Sequence, residues 1–465
     1  MVFLFSLALA AYRERLRGVL PEAEWEAFVS ASGRPLRRSA RVTGRVPEAQ
    51  ISGERVPWDE KGYFAEIGGN DVAHLTGGVY IQEAAAMSAA AVLIEGGERL
   101  VVDACAAPGG KTVQLASTAE CVVANDASSS RMASLAHNVQ RCGASRRVVL
   151  CHGDARNVLA SLEGSCCAVL VDAPCSGDTL SRRANTSLGA FLASSPAFRE
   201  GALQRQLLSA AFLALRPGGK LVYSTCALDP AENEIVVRDF LDATPEAQLV
   251  GLDGPGADSA LLPGTRRIWP HLEDTAGFFL AKIEKRGGEK PRPPEPKKKR
   301  CIFRDQLRAA WGIDEDLGSF VVRRKKVRNY ELWIAPRDAP LDVLGVLVNR
   351  PGCKVLDALD HLDLETALKR DRVRWTHDFA VSCGWTVPLN HPRRVCLEDE
   401  NHLVSYLRGH DLILQQQQRQ PPLGCQVLVT RQDGLVLGLA KTRLPAGGAG
   451  LALKNQLPPA HRLRF

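Results

Sequence analysis

Two cysteines stand where apolar runs give way to turns, Cys175 in "AVLVDAPCSGD" (Ala168 to Asp178) and Cys226 in "LVYSTCALDPAENE" (Leu221 to Glu234). Cysteines so placed serve as core filler, a disulfide, metal ligands or a catalytic pair. Free cysteine is among the most buried residue types, and packing accounts for most of the 13 in this chain. None forms a CxxC pair, and His and Cys never gather at zinc-ligand spacing, so no metal is expected. An odd count without regular spacing suits free thiols in a reducing compartment, which disfavours a disulfide. Two thiols at strand ends keep the catalytic reading open.

A third stretch, "VVDACAAPGGKT" (Val101 to Thr112), reads as strand, Gly-containing loop and helix start. Glycines let a backbone approach a ligand, and a helix N-terminus offers free N–H groups. The spacing is neither the dinucleotide GxGxxG nor the P-loop GxxxxGK[ST]. The next strands end in Asn125-Asp126, in Asp154 and in Asp172. Each acid alone also reads as a helix N-cap. Together they lie where open α/β sheets bind ligands, with Asp126 suited to ribose hydroxyls and Asp154 to an adenine amine. Lys111-Thr112 lacks the first glycine of a P-loop, since Cys105 stands in its place, so S-adenosylmethionine is expected rather than ATP.

Thiols beside an activated methyl point to methylation of a pyrimidine. Carbon 5 of cytosine is a poor nucleophile until a thiolate adds at carbon 6, an acid protonates ring nitrogen 3, and a base later removes the carbon-5 proton. Cys175, Cys226 and Asp172 make a complete set for that chemistry.

The elements that must position these groups are legible as texture. "RLVVDACAAPGG", "AECVVANDAS", "RRVVLCHGD", "CCAVLVDAPC" and "GGKLVYSTCA" are apolar runs separated by helical patterns, the signature of an open parallel sheet covered on both faces. The expected class is α/β, with a Rossmann-like domain over 96–284. Residues 1–95 form a small N-terminal α+β region, 285–300 a basic Pro-rich linker ("EKRGGEKPRPPEPKKKR" from Glu284), and 301–465 a C-terminal region ending in a hairpin turned at Asp433-Gly434. The apolar N-terminus "MVFLFSLALAAYRERLRG" is too short to span a membrane, and over residues 3–20 it reads as a packed helix, with an organellar presequence left open. The 465 residues are 45% hydrophobic and 24% charged, which is globular composition spread over more than one domain. The net charge of +7 is too mild to name a partner.

"DACAAPGGKT", "NDASSSR", "DAPCSGD" and "YSTCALDPAENE" resemble, in order and spacing over roughly residues 30 to 285, the signature blocks of the Nol/Nop/Sun RNA cytosine-5 methyltransferases. "RPLRRSARV", "HLTGGVYIQEAAAM" and "GLAKTRLPAGGAGLALKNQLP" are similar to the bacterial small-subunit ribosomal RNA methyltransferase F type within that family. The resemblance implies that Cys226 is the nucleophile, that Cys175 assists product release, and that Lys111 lies near the reacting base. It places cofactor contacts on Cys105, Ala106, Ala107, Pro108, Gly109, Gly110, Lys111, Asp126, Asp154 and Asp172. It also implies a PUA-like C-terminal module. DNA cytosine-5 methyltransferases differ, since their nucleophile lies in the Pro-Cys block. One departure is local: after "PCSGD" the chain reads "TLSRRANTSLGAFLASSP", keeping Arg182 and Arg183 but not the family's acidic-Pro pair and Trp.

RNA contacts are expected from Arg34, Arg37, Arg38, Arg41, Arg182 and Arg183, and from "VRRKKVR" (Val322 to Arg328). The partner expected by resemblance is RNA, small-subunit ribosomal RNA or the subunit itself, with no DNA and no membrane. The protein is expected to be a cytoplasmic monomer acting in ribosome biogenesis. Two alternatives stand beside this: the same chemistry on transfer RNA or another RNA, and a ribosome-assembly factor that binds RNA without turnover. The paired thiols and strand-end acids argue against the second, because a binding module has no use for them.

Overall fold

The computed structural model describes residues 2–45, 51–178, 181–184, 186–194, 201–287, 302–313, 315, 317–326, 329–358, 364–369, 373–414, 421–445 and 451–463. The N-terminal apolar run is a helix, Val2–Leu16, followed by a second, Trp25–Ser32. Tyr12, Leu16 and Phe28 are buried against Leu228 and Trp269. That burial explains the apolar sequence as one wall of a core. Strands β1 (Ser39–Val42), β2 (Glu54–Arg55), β3 (Gly62–Phe64) and β4 (Val79–Ile81) then form a small antiparallel sheet in the order β2-β3-β1-β4.

The five apolar runs become β5 (Leu100–Asp103), β6 (Cys121–Asp126), β7 (Val148–His152), β8 (Cys166–Asp172) and β9 (Leu215–Thr225). They pair in parallel in the order β7-β6-β5-β8-β9. Alternate residues enter two cores: Leu100 and Val102 pack on one face, Val101 on the other. A strand buried on both faces has no polar side to show, which is why these segments read as continuous apolar runs. The order reverses between β5 and β8, so the crevice for a ligand opens at their C-terminal ends.

The sheet extends beyond the expected five strands. Beside β9 lie β10 (Ala247–Val250), β11 (Ala257–Asp258), β12 (Arg266–Ile268) and β13 (Phe278–Lys285), with β13 antiparallel to β9. The C-terminal region contributes β14 (Ser319–Lys326), β15 (Asn329–Ala335), β16 (Val348–Arg350), β17 (Cys353–Ala358) and β18 (Val373–Trp375). Four of these form their own sheet, β14-β15-β17-β18, while β16 leaves it to pair with β7, Val348 opposite Cys151, as the tenth strand of the central sheet. A last sheet, β19 (Arg394–Leu397), β20 (Leu412–Leu414), β21 (Gln426–Arg431), β22 (Val436–Arg443) and β23 (Leu451–Asn455), contains the expected hairpin, β21 and β22 turning at Gly434 (φ 85°). It shares a core with the first sheet, Ala40, Val42 and Val79 packing with Val395, Leu437 and Leu453. The C-terminal half therefore holds two β-rich units, both docked on the rest. Most of the basic linker, and the QQQQ run at 415–418, lie outside the described residues.

Docking is reinforced by polar staples. Arg99 pairs with Asp338 at 2.5 Å, and Arg45 donates to the Val436 carbonyl at 3.0 Å. Three histidines from different segments pack there at steep ring angles, with ring centroids of His137 and His461 4.6 Å apart and those of His377 and His461 4.5 Å apart. Burial, with the charges of Arg45 and Arg141 close by, pushes His461 down to about 2, His377 to about 3 and nearby His74 to about 4. Unfolding frees each to bind a proton near pH 6.5, so stability is full above that pH and falls on acidification. Asp103 and Asp178, buried acids held near 7, act in the opposite sense. Between pH 7 and pH 5, His377→Gln should lose less melting temperature, or gain more, than the wild type when both are followed by thermal melting.

Candidate active site

The register of β8 on β9 sets Asp172 opposite Ser224, so the residues just past both strands leave the sheet side by side. Cys175 and Cys226 accordingly meet, with their sulfurs 3.1 Å apart and both side chains partly exposed. That is a contact between two free thiols, far longer than a disulfide of about 2.05 Å. The Cys175 thiol is pushed well up, first by its hydrogen bond with Cys226, then by burial and by the negative charges of Glu232 and Asp172. Its proton is therefore held tightly.

Asp172 accepts from Lys111 Nζ at 2.7 Å and from the Ser224 hydroxyl at 2.8 Å. Lys111 Nζ also lies 5.2 Å from the Phe278 ring centroid, which fixes the ammonium over an apolar wall. The sequence-expected group of Lys111, Asp172, Cys175 and Cys226 thus stands on three adjoining strand ends.

The loops carrying the thiols are clamped by residues that the sequence reading left without roles. Buried Glu232 accepts from the Ser176 amide at 2.9 Å and from Gln204 Nε2 at 3.1 Å, and Gln204 also holds the Pro174 carbonyl at 2.9 Å. Asp178 accepts from Tyr12 at 2.7 Å and from the Leu228 amide at 2.9 Å, tying both loops to the N-terminal helix. Below them Arg267 and Glu234, buried at 1% and 0% exposure, form a two-pronged ion pair. The signal available in the sequence was the density of acids and amides in "ALDPAENE", too polar a run for a core loop without internal partners.

The cofactor turn runs from Cys105 to Lys111. Gly109 adopts φ 111°, a left-handed conformation that a side chain resists, and it starts the helix Gly110–Leu115. Ala106, Ala107 and Pro108 pass over the end of β6, where Asp126 accepts from the Ala107 amide at 3.1 Å and the Ser128 amide at 2.9 Å. Asp103 receives the Thr112 hydroxyl at 2.7 Å. Burial pushes the Asp103 carboxyl up to about 7 and the Cys105 thiol well above its usual range. Asp154 caps the helix Ala155–Ser161 and is gripped by Arg156. Among the described residues, Asp103 Oδ1 and Asn125 Oδ1 are buried acceptors without a partner. Surplus acceptors, with Lys111 already paired to a carboxylate, fit S-adenosylmethionine, a cation rich in donors, and disfavour phosphates.

The arginines expected on RNA divide. Arg34, Arg37 and Arg38 are exposed, Arg37 paired with Glu54 at 2.7 Å and Arg38 with Glu66 at 3.7 Å. Arg41 is corrected: at 8% exposure it is bonded to Asp59 at 2.8 Å and forms part of the core. Arg182 is corrected likewise, since it is 3% exposed and holds the carbonyls of Arg34, Pro35 and Thr275 and the carboxylate of Asp274. It staples the loop after Cys175 to the N-terminal region. The side chain of Arg183 lies outside the described residues.

Family models agree with this geometry. Residues 90–284 match the model described as 16S rRNA methyltransferase RsmB/F, and residues 10–84 match the N-terminal domain of 16S rRNA methyltransferase RsmF. The chain is 32% identical over 486 residues to the ribosomal RNA small subunit methyltransferase F of Klebsiella pneumoniae, covering 96% of this chain and 95% of that one. It is 34% identical over 471 residues to the protein of the same name from Shewanella loihica, covering 93% and 90%. A solved methyltransferase homologue from Pyrococcus horikoshii superposes with a TM-score of 0.51 at 28% identity, over 60% of this chain and 97% of that one.

The clamp has a measurable consequence. Glu232→Ala removes a charge that raises the Cys175 thiol and frees the Ser176 amide. Cys175 should then be alkylated faster by iodoacetamide, by about tenfold for each pKa unit lost, when the modified peptide is followed by mass spectrometry.

Proposed function

The chain belongs to the ribosomal RNA small subunit methyltransferase F family, and from that premise we propose that it methylates carbon 5 of a cytosine in small-subunit ribosomal RNA. It is an S-adenosylmethionine-dependent methyltransferase, and the bound cofactor supplies an electrophilic methyl group. The observation that carries the cytosine chemistry is the pair of free thiols 3.1 Å apart beside the Lys111–Asp172 pair. A methyltransferase acting on an oxygen or an exocyclic nitrogen has no use for two sulfurs at the transfer site.

The family likeness assigns attack to Cys226 and product release to Cys175, and the raised Cys175 thiol in contact with Cys226 supports that division. Cys226 adds at carbon 6 while the Lys111–Asp172 unit delivers a proton to ring nitrogen 3, and carbon 5 becomes nucleophilic. Cys175 passes its own proton to solvent, and after methyl transfer its thiolate accepts the carbon-5 proton and returns to the thiol. The bond from carbon 6 to Cys226 then breaks, and the nitrogen-3 proton returns to the Lys111–Asp172 unit. Cys105 to Lys111, Asp126 and Asp154 line the cofactor side.

The remainder of the chain is assigned to the substrate. The N-terminal region to residue 95, with Arg34, Arg37 and Arg38 exposed, flanks the catalytic domain of 96–284 and contacts RNA backbone. The region 301–465 carries a PUA-like module, for which its β-rich sheets and the hairpin at Gly434 are the support. Among the described residues no helix is long and apolar enough to cross a membrane. We assign the protein to the cytoplasm, as a monomer acting on the ribosomal RNA or the subunit.

The two thiols give asymmetric variants. On incubation with small-subunit ribosomal RNA and labelled S-adenosylmethionine, Cys226→Ala should transfer no methyl group and form no adduct. Cys175→Ala should attack and fail to release, giving a slow-migrating protein–RNA species on a denaturing gel. Sequencing the trapped RNA names the target. Label transfer to transfer RNA alone would move the substrate, and no transfer by the wild type to any RNA would favour an assembly factor.

A further inference from the structure

A cavity of about 880 Å³ opens at the end of the central sheet away from the thiols. Arg99, Glu120 and Arg147 line it, and each lies just before a parallel strand: β5, β6 or β7. The catalytic groups follow the other ends of such strands. A strand of four to six residues advances roughly 13–20 Å, so this cavity is separate from the cofactor crevice.

Its walls are strongly basic. Arg45, Arg99, Arg146, Arg147 and Arg337 line it against Glu120, Asp338 and Asp433. Asp338 is matched by Arg99, and Asp433 by Arg431, which does not line the cavity. Arg45 donates to the carbonyls of Thr76, Arg141 and Val436, and Arg147 to those of Ala116 and Ser117. Carbonyl bonds position a guanidinium and cancel none of its charge. Burial pushes Arg45 down only to about 10, so it stays charged. Arg146 has a buried Nε without a partner and lies 5.8 Å from the ring centroid of Trp385. That tryptophan is 59% exposed, with its indole N–H donated to the Ser382 carbonyl at 3.2 Å, so much of its ring is open to a stacking partner.

We propose that this cavity is a second RNA-binding site, which takes a single-stranded segment of the substrate with a phosphate on the arginines and a base stacked on Trp385. The inference rests on the reading of the protein as an RNA methyltransferase. Arginines interleaved with an exposed aromatic ring match single-stranded RNA, whose bases are free to stack and whose phosphates need charge. Because the walls come from the N-terminal region, the catalytic domain and both C-terminal β units, the site exists only when all are docked.

The test compares the full-length wild type with Trp385→Ala and with Arg147→Glu/Arg337→Glu. Binding to protein-free small-subunit ribosomal RNA is measured over a range of salt, and methyl transfer over a range of RNA. Trp385→Ala should weaken binding about tenfold, raising KM with kcat unchanged. The double reversal should lower the slope of log Kd against log salt by about 0.7, the share of the one phosphate. Equal Kd and salt slope for all three proteins would overturn the site, as would a loss seen only with assembled subunits, which would mean a protein contact. If the double variant does not fold, Trp385→Ala at its exposed position decides alone. If the wild type binds but transfers no methyl group, the catalytic reading falls while the binding comparison still decides this one. If it does not bind, both fall.

Discussion

The register in which β8 lies beside β9 sets everything that happens at the site. Asp172 sits level with Ser224, and three residues past Asp172 and two past Ser224 the chain reaches a thiol. A parallel ladder binds neighbouring strands through evenly spaced slanted bonds, so two loops leave its edge together and stay level only while the register holds. A slip of one residue would turn every side chain of one strand to the other face and part the sulfurs. Both faces of these strands meet close-packed cores, so a slip would exchange side chains of different size between two filled layers, and overpacking costs about 1–3 kcal/mol at each such site.

Around that pairing the molecule is built to hold charge in place. Arg267 with Glu234, Arg182 with Asp274, and Arg41 with Asp59 lie in or against the core. Buried ion pairs of this kind contribute little net stability, yet removing one partner costs about 3–5 kcal/mol. What they supply is position: each spans segments distant in sequence and fixes one loop against another. The catalytic loops are accordingly ordered by polar contacts where the sheet beneath is ordered by apolar ones.

The sheet and the cofactor turn were legible because their causes are local. Five apolar runs each ended by Asp, Gly or Pro allow few alternatives, and the two cysteines mark their own strand ends. What escaped was set by distant partners. Arg41 and Arg182 look like any basic residues in a chain of net charge +7, and only the approach of Asp59 or Asp274 makes them internal. Asp154 caps the helix that follows it, the plainer of the two roles its strand-end position allowed, and a cap leaves the cofactor role open to it. Glu232 and Gln204 needed the meeting of two loops to acquire a purpose. Val348–Arg350 is too short to register as a strand and becomes one by finding β7.

That last strand changes what the halves of the chain are to one another. An edge strand with open N–H and C=O groups invites pairing with whatever strand arrives first. Here the C-terminal half closes the β7 edge of the catalytic sheet with three of its own residues. A chain cut at the basic linker would release a catalytic half with a bare, apolar edge. Residues 1–284 therefore depend on the rest of the chain for more than substrate: the appended region covers an edge that they would leave open.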